Sequence, residues 1–184
     1  MHHVIAPLDD DHVDAAAQLV SEVASALGID PAGVASAPHL TIASYRGLAP
    51  GAAGRAVAAV AATVPPFRVR AHGYGMFVGD SDGDLSLHVM VVRTTPLDRL
   101  HARLHAALER TGARMDGLTR PDVWSPHITL LDRGLDPTLL GRAVARLACR
   151  PHRSWTVPID SLAVSTGRPD HALGDPVPLT GPEP

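Results

Sequence analysis

Two short segments of this 184-residue chain pair a histidine with a threonine in the same frame. They are Pro38-His39-Leu40-Thr41-Ile42 and Pro126-His127-Ile128-Thr129-Leu130. In an extended strand, residues two apart point to the same face. The pattern therefore predicts that His39 and Thr41 project together while Leu40 and Ile42 face a core. The same holds for His127 and Thr129 over Ile128 and Leu130. Two imidazoles and two hydroxyls brought into one cleft suit phosphodiester cleavage. One neutral histidine takes a proton from the attacking water or hydroxyl, and the other, protonated, gives one to the leaving oxygen. The threonines would hold the non-bridging phosphoryl oxygens as charge develops. This chemistry calls for no carboxylate, metal or cofactor, and none is expected.

The elements around the pairs repeat as well. After one extra residue in the first copy, the string RGLxPxxxGRAVA recurs from Arg46 and from Arg133. Each copy reads as strand, tight turn and helix, with a second strand following at Phe67 to Ala71 and at Trp155 to Ile159. Repeat units of about 38–71 and 126–159 predict one bilobal α+β domain over 1–184. It would be a pseudo-twofold duplicated fold, with antiparallel sheets lining a central cleft and helices outside.

Further elements follow from local signals. A strand is expected at His2 to Ala6. A helix is expected over Val13 to Leu27, with aspartates Asp9 to Asp11 at its start and Gly28 as its stop. Pro50 to Val64, Pro96 to Arg110 and Pro137 to Cys149 read as helices, and Leu85 to Val92 and Ser125 to Leu131 as strands. Gly-rich 72–75 reads as a bend, GDSDGD at 79–84 as a hairpin turn, Gly112 to Asp122 as a loop, and the end from Arg168 as a meandering tail.

Composition narrows the partners. With 45% hydrophobic and 19% charged residues, the chain can bury a core and is not a disordered segment. Its longest apolar runs, such as Leu87 to Val92, are far shorter than the roughly 20 residues of a membrane span, so no membrane partner is expected. The start of the chain carries no secretory signal pattern, and the single Cys149 cannot close an internal disulfide. Both point to a cytoplasmic protein, and a monomer is expected. All sixteen basic residues are Arg, and the net charge is −3. No basic footprint for long duplex nucleic acid is evident, so a chain end or a small nucleotide is the better substrate.

The paired HxTx motifs resemble the two-histidine phosphoesterase superfamily, closest to its bacterial 2′–5′ RNA ligase-like cyclic phosphodiesterase branch. The resemblance extends over the Gly-rich bend with Phe77, the strand at Leu85 to Val92 and the Leu-His helix after Thr95. It implies a bilobal fold and metal-independent opening of RNA 2′,3′-cyclic phosphates to 2′-phosphates, with 2′–5′ ligation in some members. By resemblance His39 and His127 are the acid/base pair, Thr41 and Thr129 bind phosphate, and Arg133 is a substrate contact one position later than the commonest spacing. Two alternatives stay open. One is a non-catalytic module that binds RNA ends or nucleotides; the other is the same chemistry on a different small phosphodiester.

Several other side chains need assigning. Tyr45, Tyr74 and Trp124 are candidate substrate contacts; Tyr74, Phe77 and Trp124 are candidates to stack on a base, although Phe77 reads more naturally as core. His72 and His88 could line the cleft. His101 and His105 lie four apart on a helix. Without the glutamate of a HExxH site they read as part of an amphipathic face rather than as metal ligands.

Overall fold

The computed structural model describes residues 1–35, 37–48, 51–78, 85–132, 135–150, 154–166 and 174–183. The expected hairpin turn at 79–84, Arg133, and the start of the expected tail up to 173 lie outside the described residues.

In the first half, strand β1 (His2–Pro7) leads into helix α1 (Asp10–Leu27), followed by the short helix α2 (Pro31–Val34), β2 (His39–Arg46) and α3 (Ala52–Ala61). Then come β3 (Phe67–Val78), β4 (Leu85–Val91), α4 (Thr95–Arg110), β5 (Arg114–Met115), β6 (His127–Leu131) and α5 (Pro137–Ala148). The chain closes with β7 (Trp155–Ile159), β8 (Ser161–Thr166) and β9 (Val177–Pro178).

Helix limits follow the caps. Asp9 accepts from the His12 amide at the start of α1, and Gly28, at φ 72°, ends it in the left-handed region that costs glycine least. Asp136 accepts from the Leu139 amide at the start of α5. In α4, Leu97, Leu100, Leu104 and Leu108 form a fully buried stripe against the sheet. Truncating one of these leucines to alanine costs about 2–5 kcal/mol, because the transfer loss is joined by a cavity.

The strands follow the order β7-β3-β4-β6-β2-β1-β8-β9, with β5 pairing on β2. Four strands thus lie on each side of a central β6–β2 seam, in a curled half-barrel sheet with helices outside, the mixed α+β architecture expected. The halves exchange strands. β3, which follows α3, pairs with β4; β8, which follows α5, pairs with β1. The core fills the helix-covered face, with Leu40, Ile42, Ile128 and Leu130 all buried in it.

Three details differ from expectation. The bend at 72–75 is an irregularity within the single long strand β3. Gly73 sits there at φ 82°, and the pairing with β4 shifts between Ala71 and Tyr74. The expected loop at 112–122 carries β5, which pairs with the C-terminal end of β2. The tail contributes β9, whose two-residue pairing no sequence period could announce.

Candidate active site

The seam sets the geometry. In the antiparallel pairing of β2 with β6, Leu40 lies opposite Ile128. These are the residues between each histidine and its threonine, and both have no exposed surface. Alternation then puts His39, Thr41, His127 and Thr129 together on the other face, where all four are half-buried. Carrying the register one step each way sets His39 across from Thr129 and Thr41 across from His127. The two histidines are then diagonal neighbours, about 7–8 Å apart by strand geometry with their Cβ atoms somewhat closer.

Each histidine is held in the same way. His39 Nδ1 donates to the Ala37 carbonyl at 2.8 Å, and His127 Nδ1 donates to the Ser125 carbonyl at 2.7 Å. A carbonyl only accepts, so the hydrogen resides on Nδ1 of each ring and Nε2 is the nitrogen that exchanges protons. Burial pushes the pKa of His127 below its usual value, while its bond to Ser125 pulls the other way.

The surroundings of the two pairs differ. On β1, Ile5 is the cross-strand partner of Thr41; on β4, His88 is the cross-strand partner of Thr129. His88 is 1% exposed, and its Nδ1 is buried with no hydrogen-bond partner. Its ring lies 4.8 Å from that of His127 and stacks on Phe77 at 4.3 Å. Burial, then the neighbouring His127, brings its pKa down to about 4, so it is neutral at pH 7. Phe77 also meets His127 edge-on at 4.8 Å. Gly75 makes room for this cluster: a Cβ there would come within 2.5 Å of His88 Nε2 and 2.6 Å of Met90 Sδ.

The other sequence-derived candidates are placed less directly. Tyr45 is 1% exposed and packs in the core with His2 stacked on it, so its hydroxyl, with a pKa pushed up to about 12 by burial, does not reach the cleft face. Its displacement follows from an irregularity in the β1–β2 pairing between Val4 and Ile5, which changes the alternation after Thr41. Tyr74 pairs with Val89 on the core side of β3, and burial raises its pKa. Trp124 is 4% exposed, with its ring stacked on His101 at 3.9 Å and Nε1–H donating to the Thr41 carbonyl at 3.3 Å. Tyr45 and Trp124 are thus buried, whereas Tyr74 stays half-buried with one side against the core. Phe77, expected in the core, is instead 38% exposed. The signal for it lay in β4, where Ser86, His88 and Met90 alternate with apolar Leu87, Val89 and Val91 and so mark a second, functional face.

His101 and His105 both donate from Nε2 to the Thr119 carbonyl, and desolvation lowers the His101 pKa to about 4. They are structural, as the amphipathic reading of α4 expects. Thr119 in turn contacts Ser44 of β2 through its hydroxyl, and Asp116 donates its amide to the Ser44 carbonyl. The segment from Asp116 to Trp124 thereby completes the β2 edge between its short pairings with β6 and β5. Among the described residues, no group of three or more His, Cys, Asp or Glu side chains is placed to hold a metal ion, and no helix is long and apolar enough to cross a membrane.

Solved structures share this architecture. TT0787 of Thermus thermophilus superposes with a TM-score of 0.67 at 20% identity, covering 99% of both chains. LigT of E. coli, complexed with 3′-AMP, gives 0.63 at 18% identity over 97% of both, and the MHV ns2 PDE domain gives 0.59 at 14% identity over 95% of both. No curated protein matches in sequence. Residues 9–169, which hold both HxTx motifs and the strands β2 to β8, match the 2′-5′ RNA ligase superfamily; the chain belongs to that family, within the two-histidine phosphoesterases.

Proposed function

We propose that this protein is a phosphodiesterase that opens a ribose 2′,3′-cyclic phosphate, at an RNA end or on a small nucleotide, to a 2′-phosphate. The observation that carries the reading is the Leu40–Ile128 pairing, which sets two HxTx motifs side by side on one open face of the sheet. Family membership supports phosphoester chemistry, and the E. coli relative's complex with 3′-AMP supports a nucleotide ligand.

In the proposed step the cyclic phosphate sits on the seam with its non-bridging oxygens accepting from Thr41 and Thr129. Nε2 of one histidine removes a proton from water as the water oxygen bonds to phosphorus. The P–O3′ bond breaks, and Nε2–H of the other histidine protonates O3′. The 2′-phosphate remains, and the proton passes between the rings through solvent to reset them. A hydroxyl in place of water gives a 2′–5′ linkage by the same motions. Arg133 is proposed as an additional phosphate contact, from its position after the second motif.

Hydrolysis of a panel of 2′,3′-cyclic mononucleotides and cyclic-phosphate-ended oligomers, with the product phosphate located by phosphorus NMR, tests the reading. The expected product is a 2′-phosphate, formed equally well in EDTA. Absence of turnover across the panel, or activity lost to EDTA and restored by zinc or manganese, overturns it.

A further inference from the structure

The duplicated frame gives the two His-Thr pairs a common geometry but unlike neighbours, and the difference is concentrated on one side. Beside Thr41 the cross-strand residue is aliphatic Ile5, 1% exposed. Beside Thr129 it is His88, roofed by Phe77. Phe77 pairs with Ser86 and Gly75 with His88, so all four lie on the face that carries His127 and Thr129. Phe77 is backed by the His88 ring at an interplanar angle of 28°, touches His127 edge-on, and keeps 38% of its surface exposed.

We propose that Phe77, seated on His88 through the gap left by Gly75, is a nucleobase-stacking platform, so that the cleft selects cyclic phosphates that carry a base over those that do not. This deepens the phosphodiesterase reading and rests on it for the position of the phosphate. The chemistry is that of a planar π-system: a base laid on the outer face of Phe77 extends a stack already two rings deep. The underside has to be uncharged and flat for Phe77 to stay in place. Buried His88 supplies this, and any side chain at position 75 would lift it. A ring 4.8 Å from His127 is also within one ribose of a phosphorus that His127 serves.

The experiment compares adenosine 2′,3′-cyclic phosphate with 1-O-methyl-ribofuranose 2,3-cyclic phosphate, which has the same reacting ring and no base. The wild-type protein should favour the nucleotide in kcat/KM. Phe77→Ala should reduce that preference roughly tenfold or more, the range expected for loss of one base–aromatic stack, and mainly through KM. Phe77→Trp, which keeps a platform, should retain the preference. A Phe77→Ala enzyme with undiminished preference overturns the proposal, as does a wild-type enzyme with none. Should the protein hydrolyse neither compound, calorimetric binding of 2′-AMP against inorganic phosphate still decides the point. Nucleotide affinity above phosphate affinity that depends on Phe77 upholds the platform while removing the hydrolytic reading, and equal affinities remove both.

Discussion

Trp124 donates its indole Nε1–H to the carbonyl of Thr41, 83 residues earlier in the chain. The next residue, Ser125, supplies the carbonyl that holds His127 Nδ1, and Pro126 accepts from the Val91 amide. One stretch of three residues therefore touches both motifs, fixing the first through a side chain and the second through its backbone. Arg93 holds this stretch from outside, donating to the Trp124 carbonyl and lying 5.8 Å from the indole ring.

Replacing Trp124 with Phe keeps an aromatic ring against His101 and removes the bond to Thr41 together with part of the buried indole's volume. Stability should fall by about 1–3 kcal/mol, one hydrogen bond plus the space the smaller ring leaves. If the bond positions Thr41, kcat should drop on the order of tenfold with KM little changed. Steady-state kinetics beside a denaturant melt separates the two effects, and an unaltered kcat would assign the indole to packing alone.

His39→Ala and His127→Ala should each lower kcat by a hundredfold or more, as expected for loss of a general acid or base. Thr129→Val keeps the shape of the strand and removes a hydroxyl, and should cost kcat about 10²-fold through weaker stabilisation of the phosphoryl oxygens. Initial rates on a 2′,3′-cyclic nucleotide measure all three. Retention of most activity in His127→Ala would remove the paired mechanism.

The pKa of His127 should fall below the ordinary 6.5, since burial disfavours its charged form. Proton NMR of the imidazole Cε1–H across pH 4–8, assigned by comparison with His127→Gln, gives the value directly. A midpoint above 6.5 would contradict the burial argument.

Acid should destabilise the fold in a defined window. His88 and His101 have folded pKa values of about 4 against 6.5 when unfolded. Between those values the unfolded chain binds more protons, so stability is fully present above pH 6.5, declines as pH falls, and stops declining below about 4. Each group contributes on the order of 3 kcal/mol across that window. His101→Phe, which retains a ring for Trp124 to stack on, should flatten the profile even if it lowers stability at pH 7. Urea melts at pH 7.5 and pH 5 check it: an equal loss at both pH values in mutant and wild type would exclude His101 as the source.

Gly75→Ala should destabilise the protein by about 1–3 kcal/mol, the usual cost of overpacking, as the new methyl displaces His88 and Met90. Gly73→Ala should also destabilise, through its positive φ rather than through crowding, since no atom lies within 4 Å of the built Cβ. Thermal melts of the pair, combined with the chemical shifts of His88, distinguish them, because only the first should move that ring.

The sequence carried the frame well because its signals were local and repeated. Alternation at His39 to Ile42 and at His127 to Leu130, and leucine spacing in Leu97 to Leu108, depend only on the period of the element concerned. What it could not carry were contacts set by register. Tyr45 shares a strand with His39 at an even spacing, which places it in the cleft until the irregular pairing with β1 turns it into the core. Trp124 reads as an aromatic beside the second motif, yet its partners are His101 and Thr41 on other elements. Phe77 reads as core because phenylalanine usually is, and its exposure follows from lying on the open face of β3.

The Ile5/His88 difference has a consequence for how anything enters the groove. An ideal twofold site would accept a phosphodiester equally in either orientation, since each end would meet the same wall. Here one end is backed by hydrocarbon and the other by a pile of rings whose outer member, Phe77, is exposed. The groove therefore has a polarity, and a ligand reversed end for end presents its two halves to the wrong surfaces.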